Sequence, residues 1–201
     1  MTAAVRRPPG RPLDAALGDR LLDAGIRLLA THGMHAFRVD NLVAEVHAGK
    51  AGFYRRWPTV DHYFAGLARY IARRPVDYTG TEGSIAANLT ALVQHQVAGD
   101  HGAAATALLS RLPYSEVLHD AWVEEGPPEQ LAIETAAIVA RSPVLSQWDI
   151  PLGARLAELV DVLRVARLQD GQHKVRPQRH VRDRVDEVIE LVQSWARQAL
   201  R

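Results

Sequence analysis

The chain contains no cysteine in its 201 residues. Disulfides, thiolate metal sites and thiol redox sensing are excluded, and a secreted disulfide scaffold with them. No run approaches the roughly 20 apolar residues of a membrane span, so no membrane contact is expected. Strand signals are also scarce, because alternating apolar and polar runs are short. There is no Gly-rich phosphate loop, no Ser elbow and no zinc-helix motif. Among the nine histidines, His32 with His35, Asp100 with His101, and His119 with Asp120 are close pairs. None of these has a third partner at a recognisable spacing. An enzyme is therefore not expected, and neither is a bound metal or cofactor. The segment Met1 to Pro12 is basic and proline-rich without an apolar stretch, so it does not read as a signal peptide. A soluble cytoplasmic protein is the expectation.

What is present is ordinary for a globular chain: 47% hydrophobic and 23% charged residues, enough to bury a core without staples. The net charge of +1 hides an asymmetry. Residues 1–74 carry 12 Lys and Arg against 6 Asp and Glu, a charge of +6, whereas residues 75–201 carry 12 against 17, a charge of −5. A basic front and an acidic back suggest a polyanion-binding head on a body that avoids polyanions.

Helical spacing runs through the chain. A first helix fits 14–32, with Asp14 as N-cap, Gly33 as stop, and Leu17, Leu21, Leu28 and His32 on one face. Short helices fit 39–46 and 50–57, the second closed by Pro58. A fourth fits 60–73, with Tyr63, Phe64, Leu67, Tyr70 and Ile71 as its stripe. The Pro- and Gly-containing stretch 74–83 reads as a connection. Further helices fit 84–98, 102–112, 114–125 and 128–141. Two long amphipathic helices, about 152–169 and 178–199, complete an all-α chain. The predicted organisation is a flexible basic arm over 1–13, a basic head over 14–59, and a body over 60–201. The final helix pair either packs onto the body or meets its counterpart in a second subunit as a four-helix bundle.

Three short helices with basic residues gathered on the third suggest a helix-turn-helix. A recognition helix needs small or polar residues at its leading end and basic or hydroxyl groups beside phosphates. Lys50, Ala51 and Gly52 allow close approach to base edges. Phe53 and Trp57, four apart, face inward and leave Tyr54, Arg55 and Arg56 for DNA. Ahead of the first helix, Arg6, Arg7 and Arg11 lie among prolines and Gly10. They read either as a minor-groove arm or as a basic tail without groove preference.

The stretch from Asp19 to Phe64 resembles the DNA-binding domain of the TetR family of bacterial regulators. The resemblance rests on Leu21, Leu22, Ala24, Leu28, Leu29 and Gly33, then on Phe37, Val39, Leu42 and Val43. It closes with Lys50, Ala51, Phe53 and the run Tyr54-Arg55-Arg56-Trp57-Pro58. The chain departs from the family pattern at three places. His47-Ala48-Gly49 stands where Gly-Val-Ser is usual, Arg38 replaces a capping Ser or Thr, and Val60 replaces a lysine. His tolerates a left-handed backbone better than a β-branched residue does, and Gly49 is an accepted but weaker cap. Arg38 loses a cap and becomes a candidate phosphate contact.

The resemblance implies a homodimer binding double-stranded DNA, a body that takes an unknown small-molecule effector, and repression of the target promoter. Aromatic candidates for the effector site are Phe64, Tyr70, Tyr114, Trp122 and Trp148, with His95 as a polar one. The dimer contact is expected at Leu156, Leu159, Val160, Leu163, Val185, Val188, Ile189, Val192 and Trp195. An alternative is the same fold acting as a protein-interaction module with weak or lost operator binding, motivated by His47, Gly49 and Val60.

Overall fold

The computed structural model describes residues 15–73 and 85–140, and beyond them residues 156–158, 160–162, 164, 165, 190 and 194. Every helix expected up to residue 140 is found, and no strand occurs among the described residues. The helices are α1 (Ala15–His32), α2 (Val39–Glu45), α3 (Lys50–Tyr54), α4 (Val60–Ala72), α5 (Ile85–Val97), α6 (Gly99–Leu109), α7 (Glu116–Glu125) and α8 (Pro127–Ala140). The described residues of the final helix pair are helical as well. No helix among the described residues is long and apolar enough to cross a membrane.

Local chemistry sets most boundaries. Thr59 caps α4 by accepting from the His62 amide at 3.3 Å, and Ser115 caps α7 by accepting from the Leu118 amide at 3.3 Å. Such caps satisfy amides that have no partner inside the helix. Two boundaries move relative to the sequence pattern. Helix α6 starts three residues early, because Gly99 takes a left-handed φ of 64° at its first position. Gly102 then lies inside the helix, where a side chain would run into the Val97 backbone. Helix α3 stops at Tyr54, and Arg55 and Arg56 form a closing turn. Pro58 disfavours helical backbone at the residue before it.

Helix α1 is shared between the helix-turn-helix and the later helices. One side meets α2 and α4, and α6 packs along its length. Its buried residues are Leu21, Ala24, Gly25, Ile26 and Leu29. The stripe is thus rotated from the predicted one, with Leu28 only half-buried and His32 exposed. Helix α4 is shared in the same way. Its first turns place Tyr63 and Phe64 against Phe37 at 5.6 and 4.8 Å between ring centroids. Its flank packs along α7 and α8. Ion pairs Asp61–Arg111 (3.1 Å) and Arg69–Glu125 (2.9 Å) bracket that seam.

The head is pinned by one tyrosine. Tyr63 is fully buried, and its hydroxyl donates to the Leu21 carbonyl at 2.9 Å across the face of Gly25. A β-carbon on Gly25 would occupy the hydroxyl's place. Burial pushes the Tyr63 phenol far above its ordinary value, so it stays a neutral donor.

Candidate nucleic-acid interface

The interface is built on α2, a tight turn and α3. Helix α2 begins after Arg38, whose backbone is extended and whose side chain makes no cap. The Arg38 guanidinium instead donates to the carbonyls of His35 at 3.0 Å and Phe37 at 2.7 Å. After Glu45 the chain turns through His47, whose φ of 53° makes it the one non-glycine with a left-handed backbone among the described residues. The Ala48 amide returns to the Val43 carbonyl at 2.8 Å. Gly49 then enters α3 in extended form without a side-chain cap. A β-carbon there would meet nothing within 4 Å, so no close approach demands glycine at this position.

Phe53 anchors α3. It is fully buried, with its ring 5.1 Å from Tyr63 and 5.4 Å from Trp57. A five-residue helix has little stability of its own, so this aromatic cluster holds its orientation. With Phe53 turned inward, Lys50, Ala51, Tyr54 and Arg55 stand exposed on the other side, and Gly52 and Arg56 are half-buried. The small residues at the leading end keep that face low, as groove entry requires.

Two cations of this face, Lys50 and Arg56, have partners within the chain. Lys50 meets Asp40 of α2 at 2.6 Å. That hydrogen bond and the carboxylate's charge hold the Lys50 ammonium above its ordinary pKa. Arg56 leans back over α3, donating to the Gly52 carbonyl at 2.8 Å, beside Gly18 of α1. Arg27 of α1 grips Glu45 of α2 at 2.7 Å and braces the motif from behind. Asp40 was not singled out in the sequence. Its signal was an acidic residue in the first turn of a helix otherwise facing a polyanion.

The remaining predicted residues are placed as follows. Phe64 belongs to the aromatic core of the head. Tyr70 is half-buried and donates to Asp23 at 2.9 Å. Tyr114 is 75% exposed, whereas Trp122 is 3% exposed. His95 is exposed at the rim of a small pocket. The structure does not bring these five into one site. Leu156 and Val160 are fully covered by their own chain, so a partner subunit cannot reach them. Val162 and Val165, nearby on the same stretch, are the exposed ones. Arg6, Arg7, Arg11, Trp148, Leu159, Leu163, Val185, Val188, Ile189, Val192 and Trp195 lie outside the described residues. Among the described residues, no group of three or more His, Asp or Glu could hold a metal ion.

Comparison with known proteins agrees with this geometry. The sequence model of the bacterial regulatory proteins of the tetR family matches residues 21–62, which span α1 to the start of α4. No curated protein matches the chain. Two solved structures share its fold. One is described as a transcriptional regulator from Saccharomonospora viridis, in complex with choline. It is 20% identical with a TM-score of 0.61, over 88% of this chain and 97% of that one. The other is described as a TetR-family regulator from Rhodococcus sp., 16% identical with a TM-score of 0.58, over 86% and 98%. Residues 21–62 of this chain thus carry the helix-turn-helix of the bacterial regulatory proteins of the tetR family, on a helical body that shares the fold of the two solved structures.

Proposed function

We propose that the protein is a ligand-responsive repressor that binds a palindromic operator as a homodimer and is released by a small molecule. The observation that carries this reading is the outward face of α3, with Lys50, Ala51, Tyr54 and Arg55 exposed over the buried Phe53. In this reading Lys50, Ala51 and Gly52 approach base edges, and Arg38, Tyr54, Arg55 and Arg56 meet phosphates. Val162 and Val165 are apolar side chains exposed on the single chain, and they support a two-fold contact through the C-terminal helices. The two heads then sit about one DNA turn apart, roughly 34 Å.

Release follows from population shift. A ligand moves the equilibrium only as far as it prefers the form whose heads miss the operator spacing. The body can transmit such a preference because α6 packs along α1, the helix that backs α2 and α3. The choline complex of the Saccharomonospora viridis neighbour supports a body of this fold that accommodates a small molecule. A second reading, an interaction module with weak operator binding, is favoured by the internal pairing of Lys50 with Asp40 and of Arg38 with two carbonyls.

The test is selection from a pool of random duplexes, beside a Lys50→Ala/Arg55→Ala control chosen from exposed positions. An enriched palindrome that the control loses supports the repressor reading, and its half-site spacing gives the dimer geometry. No enrichment at low salt, with a normal dimer in solution, supports the interaction module. A dimer neutralising about six phosphates gives a log–log salt slope of about −5, and a slope near zero rules out DNA binding through this face.

A further inference from the structure

Arg164 is 1% exposed, the one charged residue among the buried polar residues of the described body, beside Asn88, Gln96, Thr106, Ser115 and Thr135. Its fork can be followed atom by atom. Nη1 donates to Asp161 Oδ1 at 2.8 Å. Nη2 donates to the Gln96 backbone carbonyl at 3.1 Å and to Gln96 Oε1 at 3.0 Å. The guanidinium carbon lies over the Trp122 ring, 5.6 Å from its centroid. Two donors in this stack have no partner, Arg164 Nε and Trp122 Nε1. They are the unsatisfied buried side-chain atoms among the described residues.

Buried donors are almost always satisfied, and an exception needs an explanation such as an absent ligand or water. Here two orphans occur on adjacent stacked groups, brought together by two helices and the stretch around residue 164. Gln96 also lines a pocket of about 30 Å³ with Ile71, His95, His101 and Gly102. That is room for about two waters. The residue that clamps the guanidinium therefore also borders an opening.

We propose that Arg164, Trp122 and Gln96 form the effector subsite of the body, and that it takes a small organic carboxylate. The inference rests on the reading that a small molecule binds in the body. A carboxylate brings two acceptor oxygens, and both orphaned atoms are donors. Its charge suits a buried guanidinium whose counter-ion Asp161 has a side chain 30% exposed. Burial depresses the Arg164 pKa and Asp161 opposes that shift, so a second anion lowers the cost of keeping the group charged. A quaternary ammonium has no place here, because the protein's own cation already covers the Trp122 face. The site also lies where it can act. Gln96 is the penultimate residue of α5, two residues before the Ala98 cap of α6, and α6 packs against α1.

The test separates binding from release. Binding is read by calorimetry on the full-length protein with formate, acetate and propionate, carboxylates small enough for the opening beside Gln96, with the matched primary alcohols, and with choline. Release is read by fluorescence anisotropy of a labelled duplex from the selection. At least one carboxylate is expected to bind ten or more times tighter than its alcohol. Trp122→Phe is expected to weaken it about tenfold, the loss of one charge-assisted hydrogen bond. Gln96→Glu keeps both orphaned donors and supplies an internal carboxylate, and is expected to weaken the same ligand at least as much. It serves as the second variant if Trp122→Phe does not fold. Carboxylate binding without DNA release upholds the subsite and overturns ligand-controlled release. Choline binding with release does the reverse. Equal affinity for carboxylate and alcohol, or binding of no probe, overturns the subsite, with water as the partner of both donors.

Discussion

Replacing Gly25 with alanine puts a methyl group where the Tyr63 hydroxyl sits. Overpacking of this kind costs about 1–3 kcal/mol. Alanine returns up to about 1 kcal/mol of helix propensity in the middle of α1. The expected net loss is about 1–2 kcal/mol. Tyr63→Phe removes the hydroxyl and its 2.9 Å bond to the Leu21 carbonyl. As a residue inside α1, Leu21 keeps its helical partner, so no acceptor is orphaned and the cost is about 1 kcal/mol. The two losses do not add. Without the hydroxyl, the new methyl meets only ring carbon Cζ, at 2.9 Å, which a small tilt relieves. The double variant is expected to be about 1 kcal/mol more stable than the sum of the single losses. Urea unfolding followed by circular dichroism measures all three. Losses that add within about 0.5 kcal/mol refute the claim that Gly25 is required by the tyrosine.

Further outcomes follow from the caps, the charged face and the arm. Thr59→Ala and Ser115→Ala each lose a cap, at about 1 kcal/mol. This lowers the melting temperature by about 2–4 °C for a chain of this size, with the buried Ser115 the costlier. Equal melting curves would remove both caps from the account. Asp40→Asn frees Lys50 and deletes a negative charge beside the DNA face, so affinity for a non-specific duplex rises several-fold at 50 mM salt. The gain shrinks as salt screens the charge; anisotropy titrations check it, and an unchanged affinity means the ion pair is idle. Deleting residues 1–12 weakens operator binding several-fold if the arginines grip the minor groove, and unchanged affinity at moderate salt counts against the arm.

The helices up to residue 140 were readable because their signals are local. Pro58 and Gly33 act within a turn of their own position, and the alternation of Phe53 with exposed neighbours follows from helical period alone. The misplaced start of α6 came from two glycines that look alike in sequence. Gly99 takes the left-handed φ that opens the helix, whereas Gly102 lies inside it, where the Val97 backbone five residues back leaves no room for a side chain. The site was less legible. Tyr114 and Trp122 are equally plausible pocket aromatics in sequence, and only tertiary packing leaves one on the surface and buries the other. Leu156 and Val160 carry the apolar spacing of an interface, but that spacing does not say whose core they join. Arg164 had a readable signal, a cation between Leu163 and Val165 with Asp161 three residues before it, yet its partners on α5 and α7 come from far along the chain.

The buried cluster that begins at Leu21 runs without a break through Phe53 and Tyr63 to Ala104, Leu108 and Trp122. Head and body therefore have no separate interiors, and they should melt as one cooperative unit. Heads of this construction are poor candidates for modular exchange. A chimera that joins these first 59 residues to a foreign body would leave α1 facing an unfamiliar α6. Any attempt to retarget such a regulator does better by altering the exposed face of α3 in place than by transplanting the whole head.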